Sequence, residues 1–146
     1  QAHQLWHIRE SIPLAQAEEG LNIKHDISVP VSRIPDLVGG GEALADEFDM
    51  TIVCFGHAGN GNLHVNLMYD PADADQHARA RTAMGEVFAL TLSLGGTLSG
   101  EHGIGLAKRD FMPQAIDAPT LAMMRAVKAA LDPDGILNPG KVLPLP

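Results

Sequence analysis

The fold of this chain is constrained most strongly by the segment Gly56-His57-Ala58-Gly59-Asn60-Gly61-Asn62-Leu63-His64-Val65-Asn66. An Asn-Gly pair between alternating apolar residues predicts a β-hairpin with a two-residue type I′ turn, because both turn positions need positive φ. That turn places His57 directly opposite His64, with Cβ atoms about 4.5–5.5 Å apart. Asn66, two residues beyond His64, points to the same face. The hairpin therefore presents two imidazoles to one cation, which indicates a metal site.

Hydrophobic periodicity predicts the remaining elements. In chain order, the expected elements are a helix at 2–19, a strand at 21–29, a helix at 32–48, hairpin strands at 50–57 and 62–69, a helix at 74–94, a short strand at 97–99 and a helix at 119–131. We expect Gly39-Gly40-Gly41 to split or distort the helix at 32–48. The order from 21 to 100 is β-α-β-β-α-β, which is typical of the ferredoxin-like α+β fold, an antiparallel sheet with helices on one face. The N- and C-terminal helices are additions to it.

Composition excludes several classes of protein. The 146 residues, 45% of them hydrophobic, are enough for one folded domain with a core. The net charge of −8 argues against a nucleic-acid partner, and no apolar run approaches the ~20 residues of a transmembrane helix. The single cysteine, Cys54, excludes an internal disulfide and favours a reducing, cytoplasmic location. The chain begins with Gln1 inside an expected helix, which suggests that it is part of a longer protein.

A second group of candidate residues follows the short strand, in Gly100-Glu101-His102-Gly103. In a ferredoxin-like sheet the fourth strand pairs beside the first, so Glu101 and His102 are expected close to the hairpin. Two histidines and one carboxylate form the ligand set of catalytic zinc sites, although iron(II) and manganese also accept it. A single histidine is more often a hydrogen-bonded surface or core residue than a ligand, so incidental histidines remain an alternative.

Other polar residues have a weaker setting. Arg9 and Lys24 are able to bind a carboxylate, or else they form a solvated face and a salt bridge along the helix. We expect Lys108, together with its neighbours Arg109 and Asp110, to be exposed at a helix start. The remaining histidines, His3, His7, His25 and His77, are interpreted as solvated or packing residues.

Five motifs in this order resemble the C-terminal domain of FAD-linked oxidases of the vanillyl-alcohol oxidase type. They are Leu5-Trp6-His7-Ile8-Arg9-Glu10, Lys24-His25-Asp26-Ile27-Ser28-Val29-Pro30, the hairpin segment, Gly100-Glu101-His102-Gly103-Ile104-Gly105, and Asp132-Pro133-Asp134-Gly135-Ile136-Leu137-Asn138-Pro139-Gly140-Lys141. Within that group the likeness is to D-2-hydroxyglutarate dehydrogenase, D-lactate dehydrogenase and the flavin subunit of glycolate oxidase. The resemblance spans nearly the whole chain.

The resemblance implies a two-part enzyme. Residues 1–146 would be the substrate and cap domain, and FAD would be bound mainly by a separate domain of the same full-length protein, without which this chain is inactive in redox. The implied site residues are the metal ligands His57, His64 and Glu101; the general base His102, which also contacts substrate; the substrate-binding residues Arg9, Lys24 and Asn66; and Asn138 near the flavin. Pro13 replaces a hydroxyl-bearing substrate contact of the 2-hydroxyglutarate enzymes, which argues against that dicarboxylate.

The implied reaction is oxidation of a small D-2-hydroxy acid to a 2-oxo acid, with FAD and a divalent metal, zinc by first expectation, as cofactors. The sequence specifies neither the hydroxy acid nor the electron acceptor, and peripheral membrane attachment of the full-length enzyme stays open. Two other functions are compatible with the same residues: a zinc hydrolase that uses the two histidines and the glutamate, and a non-catalytic ferredoxin-like ligand-binding domain.

Overall fold

The computed structural model describes residues 3–8, 10–11, 22–70 and 72–144, and for residues 22–24 it describes the backbone only. Residues 3–8 and 10–11 are helical, as predicted. Arg9 and Pro13 lie outside the described residues, so their predicted roles stay predictions.

The sheet has three antiparallel strands in the order β1-β3-β2: β1 (Asn22–Ser28), β2 (Thr51–His57) and β3 (Asn62–Met68). The predicted fourth strand is reduced, among the described residues, to one bridge in which Ser28 and Thr97 exchange backbone hydrogen bonds of 3.3 and 2.8 Å. The bridge lies on the edge of β1 away from β3, where the fourth strand of a ferredoxin-like sheet is expected. The predicted α+β fold with an antiparallel sheet is therefore confirmed.

The helices are α1 (Ile34–Phe48), α2 (Ala74–Ser93), α3 (Met112–Ala115) and α4 (Ala118–Leu131). Asp73 caps α2 by accepting hydrogen bonds from the backbone N–H groups of Asp75 and Gln76, at 2.9 and 3.0 Å. In the part of the chain that the structure describes, no helix is long and apolar enough to cross a membrane. The core lies between one sheet face and the helices α1 and α2; its buried members include Ile27, Leu37, Leu63, Val65, Leu67, Val87 and Phe88.

Among the described side chains of the strands, His25 is a polar residue on the core face. His25 is 1% exposed and contacts the Phe88 ring edge-on, with ring centroids 5.0 Å apart. Neither of its ring nitrogens has a hydrogen-bond partner among the described residues. Burial, and after it the nearby charge of Lys108, lower the pKa of His25 to about 4. His25 is therefore a packing residue, which was one of the two predicted roles.

The glycine run does not split α1, and that expectation was wrong. The helix is continuous through Gly39, Gly40 and Gly41. A Cβ atom at Gly40 would lie 2.5 Å from Cδ2 of Leu90 on α2. Glycine thus allows α1 to approach α2 closely, and this packing stabilises the helix despite its low local propensity.

The hairpin also differs from its prediction. The connection contains four residues, a 3₁₀ turn at Ala58–Asn60 followed by Gly61 with φ +79°, instead of a two-residue type I′ turn. His57 pairs with Asn62, and His64 pairs with Phe55. The register is displaced by two residues from the predicted one, and because side chains alternate with a period of two, both histidines stay on the predicted face.

Candidate functional site

Four side chains converge on the sheet face opposite the helices. The Nε2 atoms of His57, His64 and His102 lie 3.7, 3.6 and 3.7 Å from Oε1 of Glu101. We call His57, His64, Glu101 and His102 the histidine–glutamate cluster. The hairpin supplies the first two residues, and the turn after the Ser28–Thr97 bridge supplies the others. The structure therefore brings together the four residues that the sequence singled out for metal binding and proton transfer.

The turn at residues 99–102 is built around the carboxylate of Asp26. Its Oδ2 accepts hydrogen bonds from three consecutive backbone N–H groups, those of residues 100, 101 and 102, at 3.0, 2.7 and 2.7 Å. The Ser99 hydroxyl donates to the same oxygen at 3.0 Å. Oδ1 accepts from Nδ2 of Asn62 at 2.7 Å. This buried carboxylate thus holds the backbone from which Glu101 and His102 project.

Hydrogen bonding dominates the electrostatics of Asp26. Burial alone would raise its pKa, but the N–H groups of His102 and Glu101 and the polar side chains around it outweigh burial and hold the pKa well below its ordinary value. The carboxylate is therefore ionised at neutral pH. Burial, and then the proximity of His102, lower the pKa of His64, which favours the neutral imidazole that binds metals.

Lys108 is buried, which corrects the prediction of an exposed helix start. Its side chain is 5% exposed, its Nζ donates to the backbone carbonyl of Asp26, and the same nitrogen lies 3.9 Å from Oδ2. Burial lowers the pKa of Lys108, whereas the Asp26 carboxylate raises it. The lysine thus supplies the counter-charge to the buried carboxylate.

The cluster fits a divalent cation by its donors and their spacing. One donor atom each from His57, His64 and Glu101 lies within 4.8 Å of the others. Two ligands bound at 2.0–2.1 Å to a tetrahedral zinc ion are about 3.3 Å apart, so the observed 3.6–3.7 Å between imidazole and carboxylate needs only small adjustments. The Glu101 side chain is 48% exposed, so the cluster is also open to a small molecule.

His102 is the most exposed member of the cluster, with 59% of its side chain accessible. Its ring stacks on that of His64, with centroids 5.3 Å apart and planes 23° apart. A molecule bound beside Glu101 is thus within reach of a third imidazole.

The structure describes three other predicted site residues, of which Asn66 lies on the sheet and Asn138 lies in the C-terminal tail, away from the cluster. Asn66 is 1% exposed and lies two residues after His64 on β3. The backbone of Lys24 pairs with that of Asn66, and Asn66 itself lies on the cluster face of the sheet. Asn138 lies in the C-terminal tail and lines a groove of about 630 Å³ along α4, whose described lining contains no member of the cluster.

Three residues of the site were missed in the sequence. Strand alternation already placed Asp26 on the same face as Lys24, and this was the signal available for it. The partnership of Lys108 with Asp26 spans 82 positions, and the hydrogen bond of Asn62 to Asp26 spans 36. Neither contact has a local sequence signature.

Comparisons with known proteins identify the family to which the chain belongs. The family model "FAD linked oxidases, C-terminal domain" matches residues 1–142. The chain is 39% identical over 140 residues to a mitochondrial D-2-hydroxyglutarate dehydrogenase of Danio rerio, covering 96% of this chain and 26% of that protein. It is 40% identical over 120 residues to the glycolate oxidase subunit GlcD of Bacillus subtilis strain 168, covering 82% and 26%.

A solved structure shares the fold. The 4-ethylphenol oxidase from Gulosibacter chungangensis, in its isoeugenol complex, aligns with a TM-score of 0.63 at 18% identity, covering 86% of this chain and 25% of that one. The chain thus spans about a quarter of the length of these relatives. The match over nearly all of its residues shows that the chain belongs to the family of C-terminal domains of FAD linked oxidases.

Proposed function

We propose that this chain is the substrate-binding and metal-binding domain of an FAD-dependent enzyme that oxidises a small D-2-hydroxy acid to the 2-oxo acid. The observation that carries the proposal is the convergence of His57, His64 and His102 on one oxygen of Glu101, on an open sheet face. The names of two relatives, a D-2-hydroxyglutarate dehydrogenase and a glycolate oxidase subunit, support this substrate class. A second domain of the full-length protein would bind FAD.

His57, His64 and Glu101 would hold the divalent cation, with zinc as the first expectation for two imidazoles and one carboxylate. The cation would supply Lewis-acid chemistry toward the substrate hydroxyl, and FAD would supply the hydride acceptor. The protein residues bind and orient the substrate and move its proton.

His102 is the proposed general base. It would take the hydroxyl proton of the substrate at Nε2 while the hydride leaves C2, so that the alcohol loses both hydrogens and becomes a ketone or aldehyde. Its exposure and its position beside Glu101 and His64 support this role, because the ring reaches the space in front of the cluster. Histidine is the side chain most often used for proton transfer near neutral pH.

Lys24 and Asn66 are the proposed substrate-holding residues on the sheet, together with Arg9 from the N-terminal segment. Their side chains would bind the carboxylate of the hydroxy acid, for which the ammonium and guanidinium groups are suited. The pairing of Lys24 with Asn66 across β1 and β3 supports a shared role. Asn138 is the proposed flavin contact.

The test uses the full-length protein with its flavin. Anaerobic mixing with D-lactate, D-2-hydroxyglutarate and glycolate is expected to reduce the flavin with at least one of them. His102→Ala should slow this reduction by ~10²–10⁴, whereas His77→Ala, at an exposed position on α2, should leave it unchanged. If the protein binds metal but none of the 2-hydroxy acids reduces its flavin, the result would contradict the proposal and favour the zinc hydrolase. An unchanged rate in His102→Ala would remove that residue as the base.

A further inference from the structure

A carboxylate that the proposed chemistry does not use lies directly behind the histidine–glutamate cluster. Asp26 is 1% exposed and pairs with His64 across β1 and β3. Its Oδ2 accepts four hydrogen bonds, all from the turn at residues 99–102, at 2.7–3.0 Å. Three of these donors are consecutive backbone N–H groups, so the carboxylate fixes the path of the backbone at each of the residues in turn.

We propose that Asp26 is the positioning residue of the site: its ionised carboxylate, paired with Lys108, fixes the turn that aims Glu101 and His102 at the hairpin histidines. Glu101 and His102 follow directly on the hydrogen-bonded amides, so their side chains inherit the orientation that Asp26 imposes. The metal-binding part of this inference rests on the proposed function.

The hydrogen bonds of Asp26 favour a positioning role for this residue over a role as a metal ligand. An oxygen of Asp26 lies within 4.8 Å of donor atoms of His64 and His102. Oδ2, however, already accepts from four donors, and Oδ1 accepts from Asn62. A cation that took Oδ2 of Asp26 as a ligand would have to displace donors of the turn that hold Glu101 in place.

Close packing gives independent support. A Cβ atom at Gly100 would lie 1.9 Å from Nδ2 of Asn62 and 2.8 Å from Oδ1 of Asp26. The turn therefore sits directly on the Asp26–Asn62 pair, and a side chain at position 100 would force the turn or these two side chains to shift. Glycine at position 100 thus allows this close approach of the backbone.

Lys108 is the positively charged neighbour of the buried Asp26 carboxylate. Its Nζ donates to the carbonyl of Asp26 and lies 3.9 Å from Oδ2, and both side chains are nearly inaccessible. A buried carboxylate without a cation nearby is strongly disfavoured. The lysine thus places a positive charge beside the carboxylate without replacing any of the four donors of the turn.

The test compares the chain with Asp26→Asn and Gly100→Ala, and with Asp36→Asn as a control for the same chemical change at an exposed site on α1. The first readout is amide hydrogen exchange at Gly100, Glu101 and His102, measured by NMR without metal. The second is Zn²⁺ affinity, measured by calorimetry, since loss of an outer partner typically weakens metal binding by ~10–100-fold. Far-UV circular dichroism checks that each variant is folded.

We expect both Asp26→Asn and Gly100→Ala to expose the three amides to exchange and to weaken Zn²⁺ binding by at least ~10-fold, while Asp36→Asn matches the unmodified chain. A carboxylate that only stabilises the fold would lower the unfolding temperature yet leave Zn²⁺ affinity unchanged in the folded variant, and that result would overturn the proposal. If Asp26→Asn does not fold, Gly100→Ala decides by the same readouts.

The two proposals fail in different ways. A chain that binds no Zn²⁺ at all would contradict the metal part of the proposed function, and the exchange of the three amides would still decide the role of Asp26. Wild-type Zn²⁺ binding with unchanged exchange and affinity in Asp26→Asn would refute the positioning role alone.

Discussion

Replacement of His25 by leucine should make the stability of the chain less sensitive to acid. The imidazole is 1% exposed, contacts Phe88, and has no hydrogen-bond partner among the described residues for either nitrogen. Burial, and then Lys108, lower its pKa from 6.5 to about 4 in the folded chain. The unfolded chain therefore binds a proton below pH 6.5 that the folded chain does not bind until about pH 4, so stability is fully present above pH 6.5 and is lost as the pH falls.

The magnitude follows from the two pKa values. Each pKa unit corresponds to about 1.4 kcal/mol, so the difference between 6.5 and about 4 corresponds to about 3 kcal/mol once the pH is below both. About 2 kcal/mol of this is lost between pH 7 and pH 5. Leucine removes the contribution, and its cost at pH 7 is expected to be small because the imidazole makes no hydrogen bond to the described residues that would be lost.

Urea unfolding in the presence of a chelator, at pH 5, 6 and 7, measures this effect. The His25→Leu variant should lose about 2 kcal/mol less than the unmodified chain between pH 7 and pH 5. His77→Leu, at an exposed position, controls for the removal of a histidine as such. Parallel stability curves for His25→Leu and the unmodified chain would refute the assignment of His25 as a buried neutral imidazole.

Two further changes test the local structure. Gly61→Ala should destabilise the chain by more than ~1 kcal/mol, because Gly61 has φ +79° and an added Cβ would lie 2.0 Å from the carbonyl oxygen of Val29; an unchanged urea midpoint would contradict the observed turn. Asp73→Ala should lower the free energy of unfolding by about 1 kcal/mol, because it removes the N-cap of α2. If the thermal unfolding midpoint of this variant equals that of the unmodified chain, the cap is not formed.

Much of the fold was predictable because it depends on local periodicity. The alternation in 21–29 and around the hairpin defines the strands, and Asp73 and Asp117 cap the helices that the sequence predicted. The histidine–glutamate cluster was predictable for a related reason. A register error of two residues leaves His57 and His64 on the same face, so the incorrect turn did not affect the site.

The errors come from contacts between distant segments. The backbone N–H of Val29 donates to the carbonyl of Gly61 at 3.0 Å and so helps to fix a longer hairpin connection. The helix continues through Gly40, where the missing Cβ atom lets α1 pack closely against Leu90. Lys108 is buried against Asp26, which lies 82 positions earlier in the sequence. None of these contacts leaves a local pattern, since each depends on how elements pack after they have formed.

Zn²⁺ titration of the metal-free chain by calorimetry shows whether His57, His64 and Glu101 bind one divalent cation. We expect one ion per chain, with binding lost in His64→Ala and Glu101→Gln and retained in His77→Ala. Absence of binding by the unmodified chain, or unchanged affinity when both His64 and Glu101 are replaced, would contradict the account.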